Sequence, residues 1–200
     1  MGIPLAWSNW VLPRLDLELP GRTAANAGFA TGYALMFRGR PNWLSARGLG
    51  CGLAAAGVVA AGYGAAVAIP AIRDRLGGFV DRAPDVPLGE WIAVHIPIGT
   101  VYSEELVFRA TLNRLLDNDF GPCRGALIGA LTFGLWHIRP ARAAGDSVPA
   151  SIAATAAGGL VFDLLRRRTD SATAPALLHF AVNAGGALAP HLAAARSPNS

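Results

Sequence analysis

Lysine is absent from this 200-residue chain, and all seventeen basic residues are arginine. Charge of either sign is scarce, at 15% of residues against about 25% in ordinary soluble domains. With a mean hydropathy of +0.38, the composition excludes an ordinary soluble protein. The net charge of +4 does not point to nucleic acid, because the arginines are scattered between apolar runs. Cationic loops at a membrane surface account for them, and Arg166-Arg167-Arg168 reads as a loop anchor. Two cysteines exclude a disulfide framework. Cys51 reads as a small packing residue, Cys123 lies in a Gly-Pro-Cys-Arg turn, and neither has metal-ligand spacing. The string Gly48-Leu49-Gly50-Cys51-Gly52 lacks the Walker lysine and the full dinucleotide fingerprint, which argues against a nucleotide partner. No basic stretch followed by an apolar core opens the chain, so a secretory signal is not expected. Residues 1–22, with Trp7, Trp10, Pro13 and Asp16, read instead as an interfacial N-terminal segment with aromatic anchors.

What is present is apolar sequence in long runs. Leu49 to Pro70 gives twenty-two residues without a charge, and Ser171 to Ala195 gives twenty-five that include His179 and His191. About twenty such residues cross a bilayer core. The pattern predicts an all-α, polytopic transmembrane helical bundle of about six spans, near 23–37, 49–70, 88–116, 124–139, 147–165 and 171–195. Loop punctuation separates them, as in Arg38-Gly39-Arg40-Pro41-Asn42, Gly121-Pro122 and Arg139-Pro140. Before the last span, Ser171 or Thr173 suits a cap and Pro175 a first turn. There is no repeat and no domain-sized polar region. One membrane domain is expected over 23–195, its motif-bearing core at about 88–190, followed by a tail at 196–200. The expected location is the cell membrane, as a multi-pass protein. Arg109 aside, the arginines divide evenly between alternate loops, eight on each side, so they do not orient the chain.

Three apolar stretches carry ionisable groups. Trp91 to Ser103 is thirteen residues without formal charge, and Glu104, Glu105 and Arg109 follow at once. Such groups cost roughly 2.5–3.5 kcal/mol each on insertion scales and are retained for function. On an α-helix Glu105 and Arg109 share a face at ion-pair spacing, while Glu104 lies about 100° from the first and about 140° from the second. Arg109 would then compensate Glu105 and leave Glu104 to face a cavity as a general base. A purely structural Glu–Arg pair near the headgroups explains the same spacing. His137 ends a Phe-rich span four residues after Phe133, where packing is the plainer role. His179 and Asn183, also four apart, either hold two helices together or aim two donors at one point, as an oxyanion requires. His95 and His191 lack such companions and read as structural.

The conjunction of EExxxR, FxxxH and HxxxN in series, each on its own apolar span, resembles the CPBP family of intramembrane proteases, also called the CAAX protease/Abi or type II CAAX prenyl endopeptidase family. The resemblance covers roughly residues 88–190, supported by Leu106-Val107-Phe108 and by the run from Arg168-Thr169 to Ala176-Leu177-Leu178-His179. It implies a glutamic endopeptidase that needs no cofactor and acts on a peptide or membrane-anchored protein at the lipid bilayer. Glu104 would activate water together with His137, and Glu105 and Arg109 would support the site. His179 and Asn183 would polarise the scissile carbonyl and bind the oxyanion. Ala110 departs from the glycine usual after the arginine. The chemistry of a peptide bond asks independently for a base and for stabilisation of negative charge.

Two other readings use the same residues. A zinc-dependent membrane peptidase would take Glu104, His137 and His179 as ligands and Glu105 as base, although no HExxH is present. A non-catalytic membrane scaffold or regulator would keep the fold, but it has no chemical need of all six polar positions. A proton-coupled carrier is a fainter third, since intramembrane Glu and His can relay protons.

Overall fold

The computed structural model describes residues 1–196, and of the expected tail, 197–200 lie outside the described residues. The described residues are all-α, with no strand among them. An N-terminal arm joins α1 (Gly2–Ala6), a wide turn at Trp7–Val11 and α2 (Leu12–Arg14). Then come α3 (Leu19–Met36), α4 (Ala46–Ala68), α5 (Pro70–Gly77) and α6 (Leu88–Glu90). Wide i→i+5 turns occupy Trp91–Tyr102 and Glu105–Leu112, and α7 (Asn113–Phe120) completes that helical path. α8 (Pro122–Trp136), α9 (Ile138–Ala143), α10 (Val148–Thr169) and α11 (Thr173–Ala194) follow.

Local chemistry sets these boundaries. Proline occupies the first turn of α3, α8 and α10, where its missing N–H costs nothing. The Ser45 hydroxyl accepts the Gly48 N–H and caps α4. Gly121, at φ 76°, turns the chain between α7 and α8 with a backbone that a side chain would strain. Gly52 and Gly48 serve helix packing: a Cβ on Gly52 would meet the Ala174 Cα of α11 at 2.9 Å. Cys51 does not pack there as the sequence suggests; it is exposed, because Gly48 and Gly52 carry the inward face.

The expectation of six spans is corrected. Among the described residues two helices, Ala46–Ala68 and Val148–Thr169, are long and apolar enough to cross a membrane. α8 has fifteen residues, and α11 reaches twenty-two but dilutes its hydropathy with His179, Asn183, Pro175 and Pro190. The path from Leu88 to Phe120 breaks into wide turns and carries Glu104, Glu105 and Arg109. Only 11% and 17% of the two qualifying windows are buried, so their apolar side chains face outward. This separates them from the core helices of soluble proteins and supports a membrane-associated protein.

The core lies where α3, the Glu105–Leu112 turns, α8 and α10 meet, around Leu106, Val107, Phe108, Phe133, Trp136 and Phe162. α8 runs back along the preceding path and α10 back along α8, so Trp136 returns to Glu104 and Asp163 to Asn113. α11 then lays His179 beside Glu105.

Candidate active site

Pro97 has no N–H to give its helix, and the segment around it winds in wider turns than an α-helix. Hydroxyls follow the same five-residue step: Ser103 Oγ donates to the Ile98 carbonyl at 2.9 Å, and Thr111 Oγ1 to that of Leu106 at 2.8 Å. The angles expected for an α-helix therefore do not apply to Glu104 and Glu105. Both carboxylates come close to His179, and they still divide, Glu105 to Arg109 and Glu104 to a cavity wall.

Glu105 is fully buried. Its Oε1 accepts His179 Nδ1–H at 2.8 Å, and its Oε2 lies 3.4 Å from Arg109 Nε. The expected ion pair thus survives the change of winding. Arg109, equally buried, has no hydrogen-bond acceptor at any of its three nitrogens. Its guanidinium is held among Phe133, Phe162 and Phe108, with ring centroids at 4.2, 4.9 and 5.7 Å. Desolvated cation–π contacts of this kind are worth about 2 kcal/mol. The arginine is a counter-charge beneath the site and does not reach the cavity.

Glu104 is 7% exposed, and its two oxygens have different surroundings. Oε1 accepts the Trp136 indole N–H at 3.0 Å. Oε2 has no hydrogen bond and lies 3.9 Å from His137 Nε2 and 3.8 Å from His179 Nε2. Those gaps exceed a direct hydrogen bond yet suit one bridging solvent oxygen. His137 Nδ1 lies 2.8 Å from the Phe133 carbonyl, which can only accept, so that nitrogen carries the proton. His179 is fixed likewise by Glu105. Each histidine therefore presents a variable Nε2 to the same carboxylate oxygen.

A cavity of about 420 Å³ opens on this group, with Glu104, Trp136, His137 and Asn183 in its wall and Arg22, Asn26 and Arg139 around it. His179 sits behind Glu104 and not in the lining. Asn183 donates its amide to the His179 carbonyl of its own helix at 3.1 Å. A larger cleft of about 620 Å³ shares Pro13 and Arg139 but contains no acid and no histidine, so it offers no hydrolytic group. His191 is remote, beside Tyr63 and Trp91. His95, read from sequence as lacking companions, bonds Thr23 Oγ1 at 2.8 Å and Glu90 Oε1 at 3.2 Å and ties α3 to the path it follows.

Sequence reasoning missed Trp136 and the N-terminal arm. Trp136 adjoins His137, so a donor beside the FxxxH histidine was visible as a residue type but not as a partner of Glu104. The arm is pinned when Ser8 Oγ donates to the Trp136 carbonyl at 2.7 Å and Asn9 Oδ1 accepts the Arg139 N–H at 2.9 Å. Ser8, Leu12 and Pro13 then wall the cavity. Among the described residues no group of three His, Cys, Asp or Glu side chains is arranged to hold a metal ion.

The chain matches no curated protein and no solved structure. Residues 87–185 match the family model described as Type II CAAX prenyl endopeptidase Rce1-like. That segment contains all six motif residues, from Glu104 to Asn183. Over these residues the chain belongs to the Rce1-like CAAX protease family.

Proposed function

We propose that this protein is a multi-pass intramembrane endopeptidase of the glutamic type, cleaving a peptide bond of a membrane-anchored substrate. The observation that carries the reading is the approach of Glu104 Oε2 to His137 Nε2 at 3.9 Å in the cavity wall and to His179 Nε2 at 3.8 Å just behind it. A water between these three atoms gives its proton to the Glu104 carboxylate as its oxygen attacks the scissile carbonyl carbon. The resulting oxyanion is stabilised by His179 and by Asn183, whose amide exchanges its own helix carbonyl for the substrate oxygen. His137 Nε2 relays that proton from Glu104 to the leaving nitrogen, the C–N bond breaks, and an amine and a carboxylic acid are released, the acid then losing its proton to solvent. Glu105 keeps His179 in one tautomer and balances Arg109.

Exposed Leu127, Leu131 and Leu135, one turn apart on α8, support a lipid-facing surface beyond the two apolar helices. Substrate would enter the cavity from within or beside the bilayer.

The zinc reading draws on one specific feature. Both histidines donate Nδ1–H to an oxygen, the arrangement that orients metal-ligating imidazoles. Ligands on a tetrahedral zinc stand about 3.3 Å apart, shorter than either Glu104–His separation. Peptide cleavage by the purified protein in detergent or liposomes, compared with Glu104→Gln, tests the glutamic reading. The substitution keeps size and shape and lowers the rate by about 10²–10⁴-fold. Turnover equal to the parent removes Glu104 from the mechanism.

A further inference from the structure

At the end of the bundle away from the candidate active site, a second cleft of about 420 Å³ lies between the α3–α4 loop, α7 and the end of α10. Its lining includes Arg38, Arg40, Arg114 and Arg166 against one acid, Asp117. The arginines are not equally committed. Arg166 is taken up by Asp117 at 2.7 Å and Asp163 at 2.9 Å. Arg114 reaches the exposed Asp170 with one terminal nitrogen, while its buried Nε has no partner. Arg38 and Arg40 are exposed, and neither has a carboxylate partner among the described residues.

The loop that carries them is held in place. Arg38 adopts φ 54°, Gly39 N–H bonds the Ala34 carbonyl at 2.7 Å, and Arg40 N–H bonds that of Ala110 at 2.9 Å. Farther along, Ala172 N–H bonds the Pro41 carbonyl at 2.7 Å, and Asn42 Nδ2 donates to that of Asp170 at 2.8 Å. The loop backbone is thus fixed, and it sets two arginines without a carboxylate partner beside a third whose Nε has no hydrogen bond. α10 ends at Thr169, just past Arg166 in the cleft, and α4 begins at Ala46, a few residues beyond the loop that carries Arg38 and Arg40. Trp43 lies in the same loop, the residue type that favours the headgroup layer.

We infer that this cleft is an anion site that holds a phosphate group, distinct from the candidate active site and supplied by the headgroup of an anionic phospholipid. Arginine forks match phosphate oxygens in pairs, and basic pockets between membrane helices take such headgroups. The site does not depend on the protease reading, because none of its residues belongs to the Glu104 cluster.

The test titrates the detergent-purified full chain with dihexanoyl phosphatidylglycerol, dihexanoyl phosphatidylcholine and glycerol phosphate, with binding read by native mass spectrometry. The parent binds phosphatidylglycerol saturably and more tightly than phosphatidylcholine. Arg38→Gln/Arg40→Gln weakens that binding by about twenty- to thirty-fold, at about five-fold per arginine. A charge-matched control at the other end, Arg75→Gln/Arg196→Gln, keeps it. Glycerol phosphate that binds as tightly as the lipid, and is lost in the same variant, supports the phosphate site but overturns the lipid source. Equal binding by the parent and the Arg38/Arg40 variant overturns the site. So does equal loss in both double variants, or phosphatidylcholine binding as tight as phosphatidylglycerol.

Discussion

Replacing Glu105 with glutamine separates the structural role of the paired glutamates from the catalytic one. The side chain is wholly buried and serves two partners, His179 Nδ1 at 2.8 Å and Arg109 Nε at 3.4 Å. Glutamine keeps an oxygen for the histidine but removes the one carboxylate among the described residues within ion-pair distance of Arg109. The guanidinium then has only its three phenylalanine rings, which it already contacts in the parent and which add no compensation. Stranding a buried charge this way costs about 3–5 kcal/mol. For a chain of this size that lowers the unfolding temperature by about 6–20 °C. Arg109→Met added to Glu105→Gln removes both charges, and replacing a buried pair by apolar groups is often close to neutral. The double variant should therefore recover most of the lost thermal stability in detergent. It should not recover peptide cleavage, because His179 is no longer held by a carboxylate. A Glu105→Gln protein that unfolds with the parent, or a double variant no more stable than the single, would refute the assignment of Arg109 as a counter-charge satisfied by Glu105.

Trp136→Phe deletes the indole N–H that Glu104 Oε1 accepts at 3.0 Å while keeping an aromatic ring near Phe108. A hydrogen bond to a charged group is worth about 1.5–3 kcal/mol, so kcat falls by about 10–100-fold with KM little changed; a loss confined to KM would contradict a positioning role. Asn183→Ala should lower kcat by about 10²–10³-fold, as loss of an oxyanion donor does. Its unfolding temperature should stay near that of the parent, since the amide bonds only its own helix carbonyl. Unchanged turnover would exclude it as a donor.

Much of this arrangement was legible in the sequence because helix spacing and ionisable groups in apolar runs report local facts. The all-α character and the Glu105–Arg109 pair follow from spacing. The turn of Glu104 and Glu105 toward His179 did not, since the α-helical period gives no warning that a segment containing Pro97 winds more widely. Nor did the partner of Glu104, because the Trp136 N–H reaches it only when α8 folds back along the preceding path. The number of spans was overread for a related reason. Charge-free runs count residues, whereas crossing a bilayer needs an unbroken helix whose hydropathy is not diluted by the site it carries. α11 shows the conflict: His179 and Asn183 lower its hydropathy and are the residues the site uses.

The most direct measurement is the cleavage rate of a membrane-anchored peptide by parent and Glu104→Gln proteins, each stripped by a strong chelator and confirmed folded. The chelated parent should keep its turnover, and Glu104→Gln should lose about 10²–10⁴-fold. Turnover abolished by chelation and restored by stoichiometric zinc would contradict it, and would make Glu104, His137 and His179 ligands.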